Sequence, residues 1–497
     1  MPLFRLIVFI VVCLIATLLI GFTAAIYPPF LLLGAVTAIA IFTLTFLNTE
    51  VGLYILIFSM LLSPEIGVGQ LGGGAVAGRG VTLRLDDFLL VIIGFSWFAK
   101  TAVRKELGLF LKTELNRPIF LYMIACLVPT GIGILAGRVD PKAGFFFVLK
   151  YFEYFIVFFM VANHVETEAQ LRRILFCLFL TCFVTCIFGM SQIPLGERLS
   201  APFEGERGEP NTFGGYLVLN GALAAGILSS VKDRRVRWAL IGLILAIVPT
   251  LFYTQSRSSY LAALPAFFML GGLAENRKIV LPLMVAVIIL SPFFLPSAVK
   301  ERIAFTVSQP FNKEQIQVGG IRLDTSLSAR LRSWHEGLRD LTAHPLIGYG
   351  VTGYRFMDAH YIRVLLETGV LGLAVFGYLL FSVFRLVRTS WQQVTDPLHK
   401  GLLKGFVAGY VGMLFHAVGA NTFIILRIME PFWFVVGLIA VLPALEKVDQ
   451  TDSETDAGPN LPSSSGPTSI RKEDLSVFPL PAKGYASKFA HGRLRYW

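Results

Sequence analysis

Apolar runs of roughly 20 residues, each long enough to cross about 30 Å of hydrocarbon as a helix, succeed one another along most of this chain. In lipid every backbone N–H and C=O must find its partner within the protein, so an isolated run of this kind has to be helical. The runs lie at about 4–26, 28–47, 50–64, 86–104, 118–137, 143–163, 171–194, 211–230, 236–254, 257–275, 278–296, 359–387, 403–425 and 430–446. The expected fold is all-α, a polytopic membrane protein of about 12–14 transmembrane helices with one long external loop, 297–358, containing amphipathic helices. Charged residues are 15% of the sequence against a usual quarter, which excludes an ordinary soluble enzyme. No RNA- or DNA-reading signature is present, so no nucleic-acid partner is expected. The five cysteines sit in apolar runs, without disulfide or zinc spacing, and read as small core residues.

The basic residues divide unevenly between the two sides of these spans. One side collects 18 Lys and Arg in its short loops, among them Lys100, Arg104, Arg172, Arg173, Lys232, Arg234, Arg235, Lys400 and Lys404, against 8 on the other. The richer side faces the cytoplasm by the positive-inside rule, which puts both termini there and loop 297–358 outside. The external loops favour arginine: Arg198, Arg207, Arg257, Arg322, Arg330, Arg332, Arg339 and Arg355 stand against Lys300 and Lys313. Guanidinium forks match phosphate oxygens, so this face suits an anionic ligand, although any one arginine could simply snorkel. Three regions follow: transmembrane helices in 1–194, a second set with the long loop in 195–446, and a Ser-, Pro- and Asp-rich cytoplasmic tail, expected to be disordered, in 447–497.

The end of the long loop carries the densest pattern. Leu327, Leu331, Trp334, Leu338 and Leu341 recur at alternating steps of four and three, the beat of an amphipathic helix. Arg330 borders that apolar face, whereas Arg332 and Arg339 lie opposite, so a helix resting on the bilayer aims Arg330 at the level of lipid phosphate. His344-Pro345 ends this helix and Gly348, Gly350 and Gly353 supply a turn. A second helix starts near Ala359, with His360, Arg363 and Glu367 on one side, where Glu367 can pair with Arg363. Asp358 is either an N-cap of that helix or a functional carboxylate.

Two further external segments offer polar groups at the boundary. In ERLSAPFEGERGEPNTFGG, Arg198, Arg207 and Asn211 could meet a diphosphate or sugar hydroxyls, with Asn211 equally readable as a helix cap. In TQSRSSYL, Arg257 sits among Ser256, Ser258 and Ser259 with scarcely any loop to carry it into water, and its expected partner is a bound anion. Glu153 and His416 are polar groups inside spans to which the sequence gives no role. The doublet Asp86-Asp87 reads as a cap or topology feature, and the glycine-rich run at 67–80 as a connector, since it lacks the Lys-Ser/Thr of a phosphate loop.

The order PNTFGG, SRSSYL, SARLRSW, HPLIGYG, then HY ahead of LLETGVLG, resembles the O-antigen ligase and exopolysaccharide polymerase superfamily over roughly 195–445. The resemblance implies a bacterial inner-membrane glycosyltransferase that needs neither metal nor cofactor. An acceptor hydroxyl attacks the anomeric carbon of a glycan on undecaprenyl diphosphate at the periplasmic face, and the lipid diphosphate leaves. Implied partners are that donor, a glycan or lipid A core acceptor, membrane lipid and other envelope polysaccharide assembly proteins. By position in the motifs, Arg257 and Arg330 would stabilise the leaving group. The base would be His360 or Asp358, with Arg198, Arg207, Asn211, Ser258, Tyr361 and Arg363 binding substrate. The histidine departs from the ligase pattern: it lies nine residues before Gly369 and precedes Tyr361, while Asp358 stands where the ligase histidine is expected, as in polymerase-like members. His360, with an unperturbed pKa near 6.5, is the preferred base on the sequence, and polymerisation is slightly favoured over ligation. Protein O-glycosylation differs only in acceptor. A flippase for the same lipid-linked glycan is the reading from another class, disfavoured because the arginines gather at the outer boundary and no paired halves are seen.

Overall fold

The structure is a computed structural model that describes residues 29–67, 82–104, 113–204, 208–294, 297–310, 315–318 and 321–456. It is built from helices α1 (Pro29–Leu47), α2 (Thr49–Leu62), α3 (Leu85–Arg104), α4 (Asn116–Leu135), α5 (Pro141–His164), α6 (Glu168–Ser191) and α7 (Pro210–Leu228). There follow α8 (Arg234–Tyr253), α9 (Arg257–Gly272), α10 (Arg277–Phe294), α11 (Ser297–Ser308), α12 (Thr325–Asp340), α13 (His360–Gln393), α14 (Pro397–Gly419) and α15 (Leu426–Asp456). Two short antiparallel hairpins interrupt the helices: β1 (Glu65–Gly67) with β2 (Thr82–Arg84), and β3 (Gln317–Val318) with β4 (Ile321–Arg322). The all-α polytopic expectation holds, and within the described residues seven helices, α4, α5, α6 with its 3-10 extension, α8, α13, α14 and α15 as far as Lys447, are long and apolar enough to span a membrane. The apolar runs at 28–47, 50–64, 86–104, 211–230, 257–275 and 278–296 also form helices, shorter or more polar than those seven. The run at 4–26 and most of the glycine-rich connector lie outside the described residues. The last helix continues to Asp456, past the expected boundary at 446; residues 457–497 are outside the described set.

Polar residues set where the helices start. Asn48, Asp140, Thr167, Asp233, Ser256, Asp324 and Asp396 each accept a hydrogen bond from the first turn of the helix they precede, which satisfies amides that the helix itself leaves unpaired. At Thr167 the cap is reciprocal, with Gln170 reaching back to the cap amide.

Small residues bring the core together. Along the contact of α7 with α14, a Cβ on Gly226 would lie 2.2 Å from Gly405 N, so the two backbones touch as only glycine allows. Helix α15, through Phe432, Trp433, Phe434, Val436 and Ile439, is the most enclosed of the seven. Phenylalanines such as Phe95, Phe176 and Phe381 point outward, as in a protein whose solvent is lipid.

Helix α13 is broken where it meets the HPLIGYG turn. Gly369 adopts φ 70°, ψ −173°, outside the helical region. The break frees carbonyls that the HPLIGYG turn then occupies: Tyr349 N donates to Leu366 O (2.9 Å) and Gly350 N to Glu367 O (2.9 Å). In return Val370 N donates to Pro345 O (2.9 Å). Helix and turn are thus one hydrogen-bonded unit.

Candidate active site

Helix α12 takes part in the ion pairs of both predicted leaving-group arginines. Its N-cap, Asp324, accepts from Leu327 N through Oδ1 (2.8 Å), and its Oδ2 pairs with Arg257 at the start of α9. Six residues along the same helix, roughly 9 Å at 1.5 Å per residue, Arg330 Nη2 lies 3.0 Å from Asp358 Oδ2. Both arginine side chains are about four-fifths enclosed, at 22% and 20% exposure, while that of Asp358 is 38% exposed. The partner of Arg257 is therefore an internal carboxylate, not the anion expected from the sequence. A largely enclosed arginine needs a counter-charge even when no substrate is present.

Asp358 is not the cap of α13. That position belongs to Ala359, which offers no side-chain oxygen, and Asp358 turns instead to Arg330. The predicted stripe of His360, Arg363 and Glu367 is real but faces inward. Arg363 Nε donates to Glu367 Oε1 (2.9 Å), and Glu367 also accepts from Tyr151 Oη (3.3 Å) and Thr352 N (3.3 Å). The Arg363 guanidinium lies 5.8 Å from the centroid of Phe147 and 5.9 Å from that of Phe356. His360 is 0% exposed, with ring centroids of Phe376 and Phe423 at 5.1 and 5.4 Å, and neither of its nitrogens has a hydrogen-bond partner.

The remaining predicted binding residues have intramolecular partners. Arg198 donates to Thr254 O and Gln255 O (both 3.2 Å), bracing the turn before Arg257 where Gln255 has φ 50°. Asn211, second residue of α7 rather than its cap, accepts from Ser256 Oγ (2.7 Å). Ser258 Oγ donates to Gly419 O (3.1 Å) and Tyr361 Oη to Leu414 O (2.8 Å). Arg207 lies outside the described residues.

Residues 241–377 match the family model described as O-antigen ligase. That segment, just over a quarter of the chain, is similar to the O-antigen ligase family. No curated protein matches the sequence. The ligase segment holds Arg257, Asp324, Arg330, Asp358 and His360, so both arginine bridges fall inside it. A multi-pass membrane protein carrying this segment is a membrane glycan transferase of the O-antigen ligase or polymerase type.

Two clusters reach beyond the ligase segment, and the sequence did not show either of them as a cluster. The first is a buried chain of hydrogen bonds: Asn211 to Ser256, Ser256 to Ser259 (2.8 Å), Ser259 Oγ to His416 Nε2 (3.3 Å), and His416 Nδ1 to Thr422 (2.8 Å). Glycines 214 and 215 of PNTFGG make room for it, since Cβ atoms there would meet Ser259 Oγ at 2.2 Å and the His416 ring at 3.0 Å. The second is a charge cluster at the start of α3. Asp86 pairs with Arg84 and accepts from Ser63 Oγ (2.9 Å), Lys150 bonds Asp87 (2.8 Å), and Glu430 Oε2 lies 3.8 Å from Arg84. Near it Arg427 donates to Pro202 O (2.7 Å) and Phe203 O (3.0 Å), with Glu204 Oε1 at 3.8 Å. Burial pushes the Glu204 carboxyl up to about 8, which Arg427 only partly offsets. The available signal was charge inside apolar runs: Asp86-Asp87, Lys150 and Glu430 are expensive there unless paired. Among the described residues the one cluster with metal-ligating geometry is Glu168, Asp396 and His399, outside the ligase segment.

Proposed function

We propose that the protein polymerises oligosaccharide carried on undecaprenyl diphosphate, at the periplasmic face of the bacterial inner membrane, in cell-surface polysaccharide synthesis. The observation that carries this is the pair of arginine–aspartate bridges held by α12 within the ligase segment. An arriving diphosphate competes with Asp324 and Asp358 for the two guanidiniums, which bind phosphate through the same forked donors. Its capture of Arg330 releases Asp358, and the freed carboxylate takes the proton of the acceptor hydroxyl as that oxygen bonds the anomeric carbon. The bond from that carbon to the phosphate oxygen breaks, its electron pair departs with the lipid diphosphate, and Arg257 and Arg330 neutralise the growing charge. Donor binding thereby arms the base.

Asp358 takes precedence over His360 as base because it reaches solvent and neighbours a predicted leaving-group arginine, whereas the imidazole is enclosed by aromatic rings. An acidic residue at this place also fits the polymerase-like pattern. The family description favours a second reading, attachment of finished polymer to a lipid A core or, less directly, to a protein. Deleting the gene and separating surface glycan on a gel decides between the two. Single repeats remaining on the surface lipid mean lost polymerisation; polymer stranded on the lipid carrier means lost attachment. Labelling of a cysteine at Arg339 by an impermeant reagent in intact cells tests the periplasmic placement, and protection there overturns it.

A further inference from the structure

At the other ends of the helices, Glu168 in the first turn of α6, Asp396 capping α14 and His399 in the first turn of α14 converge. One ligand atom from each lies within 4.8 Å of the others. His399 Nε2 is 2.9 Å from Glu168 Oε2, and His399 Nδ1 is 3.1 Å from Glu446 Oε2. His399 is buried, and Glu168 Oε1 is enclosed without a hydrogen bond, its neighbour being Arg172 Nη2 at 3.1 Å in an ion pair. We propose that Glu168, Asp396 and His399 bind a divalent transition-metal ion, with Zn²⁺ as the best match, and that Glu446 orients the histidine.

Three features point to a metal. The first is spacing: ligands bonded at 2.0–2.2 Å around a tetrahedral ion stand about 3.4 Å apart, so a small adjustment of side chains, with His399 and Glu168 parting slightly, completes the set. The second is the outer shell. A metal-bound histidine characteristically donates its other N–H to a carboxylate, which fixes the tautomer, and Glu446 stands at Nδ1 for that purpose. Glu446 is itself held through Oε1, by the amide and hydroxyl of Thr395 and by Asp396 N (3.2 Å). The third is charge. Three carboxylates face Arg172 and one imidazole, an acidic excess that favours a bound cation. An imidazolium in the first turn of α14 also opposes the helix dipole, which a neutral, metal-bound ring does not.

The role of the ion is to tie α6, α14 and α15 together. Along α14, His399 is about 20 residues, roughly 30 Å, from Gly419 beside Ser258, so the ion touches no reacting group. This proposal does not depend on the proposed reaction.

The test uses the full chain in detergent, stripped with chelator and then dialysed against Zn²⁺ or Co²⁺. About one equivalent of Zn²⁺ per chain by mass spectrometry, a raised melting temperature and a visible Co²⁺ absorption band are expected. All three should vanish in Glu168→Gln and His399→Gln, persist in Lys400→Ala, and require about 10–100-fold more metal in Glu446→Gln. If His399→Gln does not fold, Glu168→Gln alone is decisive. Substoichiometric metal, or equal binding in Glu168→Gln, overturns the proposal and leaves an imidazolium clamp.

Discussion

Arg330 Nη2 lies 3.0 Å from Asp358 Oδ2, and this bridge joins the amphipathic helix α12 to the residue that leads into α13. Its counterpart, Arg257 with Asp324, joins α12 to α9. Two helix starts are therefore held against one surface helix by the same side chains that the proposed reaction would engage.

Removing either guanidinium should impair leaving-group departure. Arg257→Ala and Arg330→Ala are expected to lower kcat by about 100- to 1000-fold, the usual effect of losing one preorganised donor to an oxyanion. Arg332→Ala, on the exposed side of α12, should stay within a few-fold of wild type. Turnover of purified protein with a lipid-linked donor measures all three, and equal activity would remove the leaving-group role.

The two base candidates separate cleanly. Asp358→Asn keeps size and polarity while losing the proton acceptor, and turnover should drop about 100- to 10,000-fold. His360→Phe, placed among Phe376 and Phe423, should fold and retain most activity. The opposite ranking assigns the proton to His360.

Gly369→Ala should destabilise the protein. The left-handed φ of 70° costs a non-glycine residue about 1–3 kcal/mol. A Cβ would moreover lie 2.2 Å from Leu346 O. A lower melting temperature, with faster proteolysis of the 344–353 turn, is the expected result. Gly377→Ala, in open space further along α13, is the control and should melt with wild type.

Stability should also fall as pH rises because of Glu204. Its folded pKa, about 8, is above the ordinary 4.5, so between those values the unfolded chain has released a proton that the folded chain retains. The contribution is fully present below about pH 4.5 and is lost progressively up to about pH 8. Glu204→Gln should flatten that part of the melting profile and gain stability at the alkaline end. A variant with the wild-type slope contradicts this assignment.

The sequence by itself determined the class of fold, because a 20-residue apolar run in lipid has one way to pair its backbone. It also located the arginines of α9 and α12, the helical beat of α12, and the stripe of His360, Arg363 and Glu367, since these depend on spacing along a single segment. Only the tertiary structure decided partners. Asp324 and Arg257 are 67 residues apart and share no local pattern. His399 lies far along the chain from both Glu168 and Glu446, and His416 from Ser259. Whether His360 or Asp358 is enclosed turns on where Phe376 and Phe423 come to rest. Periodicity reports which residues share a face; what that face meets is fixed by packing between elements, where burial decides which charges must be paired.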